Sequence, residues 1–192
     1  MVQPENLRSI QAPFDVQDFL DMGRTPDDLG AILRGHLILE RCLAHKCSQL
    51  FPRFEGVYAD RLDMAHCLTL LRLVEAPEFL VAPCTRINRL RNDFAHGKQK
   101  ALTLQHVQEI KSHMPEQFKG FLDPNKIRAT NSVGDEVDVS DQAKPRALFG
   151  MAVSFLQMTI LLMEAKYSVS LNFDKTERNV LWNLPDLKQM PS

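Results

Sequence analysis

Residues 25–50 read TPDDLGAILRGHLILERCLAHKCSQL, and the pattern within them sets the fold class. Thr25, Pro26, Asp27 and Asp28 form a helix start: a hydroxyl to cap a free backbone N–H, a proline suited to the first helical position, and two carboxylates where the macrodipole favours negative charge. Leu29, Ile32, Leu33, Leu37, Leu43, Ala44 and Cys47 then recur at helical spacing, and Pro52 supplies the stop after Leu50. At about 100° per residue, His36 and Glu40 fall in the middle of that stripe, which turns two polar side chains inward one turn apart.

The same period recurs along the chain. Residues 58–74 are apolar on nearly all sides towards their end (Leu68, Leu70, Leu71, Leu73, Val74), which predicts a central helix enclosed by neighbours. Glu75-Ala76-Pro77 breaks it, and a third helix follows to about Ala95, starting at Glu78 or restarting at Pro83, with Gly97 placed to end it. A fourth runs from a Thr103 cap through Leu104, Val107 and Ile110 to Met114. Residues 121–144 read as a long loop with an acidic patch (Asp135, Glu136, Asp138, Asp141) and a brief extended piece at 136–139. Residues 145–169 carry Phe149, Ala152, Val153, Leu156, Ile160, Met163 and Tyr167 on one face of a last strong helix. Residues 1–24 form a loosely ordered lead-in, and residues 171–192, with Trp182, a tail that packs on the domain. No alternation is long enough for a sheet, so the fold class is all-α: a bundle of four to five helices over residues 25–170, with a long loop and a docked C-terminal tail.

Composition agrees. The 192 residues are 44% apolar and carry 23 Lys+Arg against 24 Asp+Glu, a formal charge of -1, which excludes a disordered acidic or basic tail and a histone-like wrapper of nucleic acid. Cys42, Cys47, Cys67 and Cys84 all lie in apolar or helical stretches, and the N-terminus carries no leader pattern, which points to the reducing cytoplasm. The uncharged run over residues 147–163 is short and polar for a membrane span, and a buried helix explains it. Cys42, His45 and Cys47 with His66-Cys67 make a poor zinc set, because their spacings on a continuous helix splay the ligands to different faces. No metal or cofactor site is expected: there is no phosphate-cradling glycine loop, dinucleotide fingerprint or serine elbow. A separate helix-turn-helix with a basic recognition helix is also missing from the pattern.

Chemistry concentrates in residues 86–97, RINRLRNDFAHG. Cys84, Ile87, Arg91 and Phe94 share a stripe, so Arg91 sits on an apolar face where a guanidinium is costly without an anion. Inside the fold that anion is Glu40, with His36 beside it as support. From outside it is a phosphate, which the planar Arg fork grips in two places. Arg86, Arg89, Arg91, Lys98 and Lys100 face a single negative residue, Asp93, between positions 86 and 100, so a neutral chain carries a local basic segment suited to an anionic partner. The acidic residues 135–141 are expected to shield it.

Arg91-Asn92-Asp93-Phe94-Ala95-His96 resembles the signature of the HEPN superfamily of small helical bundles: an arginine followed by a polar residue, then a histidine four to six residues on, at the end of one helix. Ile87-Asn88-Arg89-Leu90 and Leu37-Ile38-Leu39-Glu40 are similar in particular to the mannitol operon repressor-like branch. The likeness spans roughly residues 25–170, and the six-residue motif is its sharp part. It implies an up-and-down bundle that forms homodimers, with two such motifs facing each other across a cleft. In the metal-independent endoribonucleases of the superfamily, the resemblance would have His96 move the 2'-hydroxyl or leaving-group proton, Arg91 hold the scissile phosphate and Asn92 orient the site. Arg89 also meets the spacing, but helical pitch turns it away from the apolar face. The expectation is a cytoplasmic, dimeric regulatory or interaction module of transcription-regulator type. Its cleft faces RNA or another anion, or serves a regulatory protein partner, with RNA cleavage as the rival activity.

Overall fold

The computed structural model describes residues 22, 25, 27–51, 62–130, 136–138, 140–141, 143–162, 170–173 and 180–183, with the strand residues described as backbone alone. Its elements in chain order are α1 (Asp28–Leu50), α2 (Met64–Leu73), α3 (Glu78–Ala95), α4 (Leu104–Ser112), the short α5 (Glu116–Lys119) running into a 3-10 turn (Gly120–Leu122), a ribbon of β1 (Arg128–Thr130) and β2 (Glu136–Asp138), α6 (Lys144–Leu162), and a second ribbon of β3 (Ser170–Phe173) and β4 (Val180–Asn183). The core is an all-α bundle. α1 packs on α6, α2 and α3, α3 on α4, and α4 back onto α6, which closes a ring of helices around one apolar centre. Ile32, Leu39, Leu43, Leu71, Leu80, Ile87, Ile110 and Phe149 are fully enclosed there.

The central helix is α1, not α2. Only Met64, Cys67, Leu68 and Leu71 of α2 are buried, and Leu73 is 71% exposed. The leucine-rich end of α2 lies against α1 and α3 on one side and faces solvent on the other. Residues 58–61 of the expected helix lie outside the described residues.

The buried face of α1 is also turned from the expected one. Leu29 and Leu37 are exposed, while Ala31, Ile32, Gly35, His36, Ile38, Leu39, Cys42, Leu43, Lys46 and Cys47 are inside. Gly35 explains the turn: a Cβ built there would lie 2.7 Å from Cε1 of Phe149, so the missing side chain is what lets α6 approach α1 along this line. The cap of α1 is Asp27 rather than Thr25, its carboxylate accepting from the Gly30 N–H at 2.7 Å. Pro26, expected to open the helix, lies outside the described residues.

The third and fourth helices follow the sequence closely. α3 is continuous from Glu78 through the buried Pro83, and α4 starts at Thr103 in a capping box whose far member is His106. The chain reverses between α2 and α3 at Glu75, a non-glycine residue at φ 55°. The expected extended piece at 136–139 is the strand β2, which pairs antiparallel with β1 in the register Arg128↔Asp138, Ala129↔Val137, Thr130↔Glu136. Strands of three and four residues escape a search for long alternation. α6 buries Leu148, Phe149, Ala152, Val153, Leu156 and Ile160; Met163 and Tyr167 lie outside the described residues. By length and composition α6 could cross a membrane, but half of its apolar window is packed inside the bundle.

Candidate anion site at the end of helix α3

The C-terminal end of α3 is held by two sets of contacts. Along the chain, Gly97 at φ 68° lets the backbone turn back: Gly97 N–H donates to Phe94 O at 3.0 Å and Lys98 N–H to Asp93 O at 2.8 Å, while His96 N–H reaches Asn92 O at 2.9 Å. These bonds occupy the last carbonyls, which mutes the negative helix end that would otherwise repel an anion. Across the bundle, α4 clamps α3. Arg86 pairs with Glu109, and the ring of the buried Phe94 meets that of His106 edge-on with centroids 6.4 Å apart.

On this frame Arg91 is half-buried among Ile87, Leu90 and Phe94, all enclosed. One terminal nitrogen of its guanidinium donates to Oδ1 of the neighbouring Asn92 at 3.0 Å. Nε of Arg91 is buried and has no hydrogen-bond partner, and no carboxylate pairs with the guanidinium among the described residues. The side chain thus lies on the apolar stripe, as pitch requires, without its internal anion.

Glu40 is engaged elsewhere. Its Oε2 accepts from the Met64 N–H at 3.0 Å, at the opening of α2, and stands 4.0 Å from Nε2 of His36. The expected Glu40–Arg91 pair is therefore not formed, because the start of α2 needs an acceptor and lies within Glu40's reach. His36 is buried as expected, but its partner is Asn88: Nε2 lies 3.0 Å from Oδ1, tying α1 to α3 one turn before Arg91 and Asn92. Nothing in the Ile87-Asn88-Arg89-Leu90 stretch marks Asn88 as the partner of His36. Its position three and four residues before Arg91 and Asn92 puts it on their face, but pairing it with His36 requires the register between two helices.

The other candidate cations divide. Arg86 is committed to Glu109, and Lys98 Nζ lies 3.6 Å from the Asp93 carboxylate, so these two serve the fold's own charges. Arg89, Arg91 and Lys100 have no carboxylate partner among the described residues. The imidazole of His96, the cap residue of α3, is exposed and makes no hydrogen bond to a described residue. Asp141 of the acidic segment is bonded to Lys144 at 2.8 Å rather than to any of these cations.

The arrangement is a donor-rich helix end: a half-buried guanidinium with an unused Nε, an amide orienting it, a free imidazole one turn on, and two further cations nearby in sequence. It can receive an oxyanion with the Arg fork. Compared with known proteins, the chain matches no family model, no curated protein and no solved structure.

Proposed function

We propose that this chain is a HEPN-like, dimeric regulatory or interaction module whose α3 end receives an anion, with single-stranded RNA as the favoured class. It would act in the cytoplasm, where its four buried thiols, none in a disulfide, stay reduced. The observation that carries the reading is the half-buried Arg91 with a buried donor that nothing among the described residues satisfies. A buried donor without an acceptor costs about 1–3 kcal/mol, and an arriving phosphate removes that cost while adding charge-assisted bonds. The free cations Arg89 and Lys100 supply the surrounding positive field.

One observation favours the second reading, a metal-independent endoribonuclease: the imidazole of His96 is exposed and unengaged, as a proton-transfer group at a cleavable phosphate must be. The two readings separate in one experiment. Labelled single-stranded RNA is titrated with the wild-type protein, Arg91→Ala and His96→Ala in excess chelator, with binding and strand integrity both followed and the mass in solution measured by light scattering. The module reading expects a dimer and intact RNA, with affinity lowered about tenfold or more by Arg91→Ala. Cleavage that His96→Ala abolishes and that spares a 2'-deoxy strand would establish the nuclease instead. RNA affinity unchanged by Arg91→Ala would overturn both.

A further inference from the structure

Helix α6 is apolar on two sides. Phe149, Ala152, Val153, Leu156 and Ile160 face the core, and on the opposite side Met151, Phe155, Met158 and Leu162 follow at steps of four, three and four residues. That is the spacing of a heptad seam, the pattern by which one helix packs along another. Met151, Met158 and Leu162 are 38%, 49% and 71% exposed, so the seam is open. At the Met151 end it runs into a groove of about 320 Å³ lined also by Met114, Phe118, Phe121 and Leu122, with Phe121 67% exposed. Nothing along the seam asks for a polar partner. The flanking hydroxyls of Ser154 and Thr159 donate to Gly150 O and Phe155 O of the same helix, each at 2.9 Å, so covering the face strands neither donor.

Charge, area and symmetry favour a second copy of the chain as the cover. Residues 147–163 are uncharged, so two copies of the face meet without repulsion, and the basic fringe that holds a helix to an anionic membrane is missing from them. At about 200 Å² for a large side chain, the exposed parts of Phe121, Met151, Met158 and Leu162 amount to roughly 450 Å². A homodimer of ordinary size buries about 800 Å² on each partner, about 65% of it apolar, or roughly 500 Å². The seam is also its own complement. Turned end over end about its midpoint, between Leu156 and Gln157, it sets Phe155 against Met158 of the partner subunit, a ring on a thioether, and Met151 against Leu162 of the partner subunit. Leu162, the most exposed of the four, thereby stands at the mouth of the groove beside Met151.

We infer that two copies of this chain pair through the α6 seam and its groove, related by a two-fold axis across the middle of the helix. The inference names the surface of the dimer proposed above and rests on that part of the reading, not on the anion site. Light scattering and sedimentation equilibrium of the full chain over a dilution series test it. The wild type is expected as a dimer. Met158→Glu and Leu162→Glu, each at an exposed position, should raise the dimer dissociation constant about a hundred-fold or more with helical circular dichroism unchanged, because pairing would bury carboxylates in an apolar seam. Leu37→Glu, at an exposed leucine of α1, should leave the mass at that of the dimer. A wild-type dimer indifferent to Met158→Glu and Leu162→Glu, or one broken by Leu37→Glu alone, would overturn the α6 surface and leave the dimeric reading standing. A wild-type monomer would overturn both, with the chain's own C-terminal residues or another protein as the cover.

Discussion

Arg91 shows how much one side chain's surroundings can be read before its partner is known. Helical pitch from Cys84 to Phe94 places it on the buried face of α3, and it is half-buried there. The partner was not legible, because Glu40 and Arg91 lie on different helices and only the packing register shows that Glu40 is drawn to the start of α2. The same holds for His36, whose inward position follows from the pattern of α1 but whose bond to Asn88 does not. Two outcomes follow at this scale. Asn88→Ala leaves the buried His36 without its partner and should lower stability by about 1–3 kcal/mol in urea unfolding. Gly97→Ala should cost about 1 kcal/mol through the backbone alone: its φ is 68°, and nothing lies within 4 Å of the added Cβ.

The helices themselves were written in local signals: the Thr103 cap, the Glu75-Ala76-Pro77 break and Gly97 all sit where α2, α3 and α4 begin or end. Faces were harder, because leucines outnumber the positions a helix can bury. Leu29, Leu37 and Leu73 are exposed, and the buried side of α1 follows Gly35, where α6 comes closest. Gly35→Ala should accordingly destabilise the α1–α6 contact by about 1–3 kcal/mol, measured as a lowered Tm. The α3–α4 clamp adds a pH dependence. Burial, and then the nearby Arg86, hold the His106 imidazole below its ordinary 6.5, and its Nδ1 accepts from the Thr103 N–H at 3.2 Å. Burial and the neighbouring Lys46 act likewise on His45. Both groups bind protons more readily when unfolded, so their stabilisation is complete above 6.5 and declines as the pH falls from there through their folded values. Tm should therefore drop as the pH is lowered below about 6.5, and His106→Gln should flatten part of that drop.

At the scale of the whole molecule, the ring of α1, α2, α3, α4 and α6 encloses all four cysteines. Burial pushes Cys42 up to about 11 and Cys84 up to about 12, and Cys67 is raised further by its neighbour Cys47. With all four side chains enclosed, a thiol reagent at neutral pH should label none of these residues in the native protein and all four in denaturant. The end of α3 carries cations that the described residues leave unbalanced. Arg86 and Lys98 are answered by Glu109 and Asp93, while Arg89, Arg91 and Lys100 have no carboxylate partner among the described residues. If those three meet phosphates, the logarithm of RNA affinity should fall with the logarithm of salt with a slope of roughly −2, and Arg91→Ala should reduce that slope by about 0.7. Titrating labelled single-stranded RNA across a salt series with both proteins measures this. Such a slope, shallower in the variant, is the predicted result; affinity indifferent to salt, or equally steep without Arg91, would contradict it.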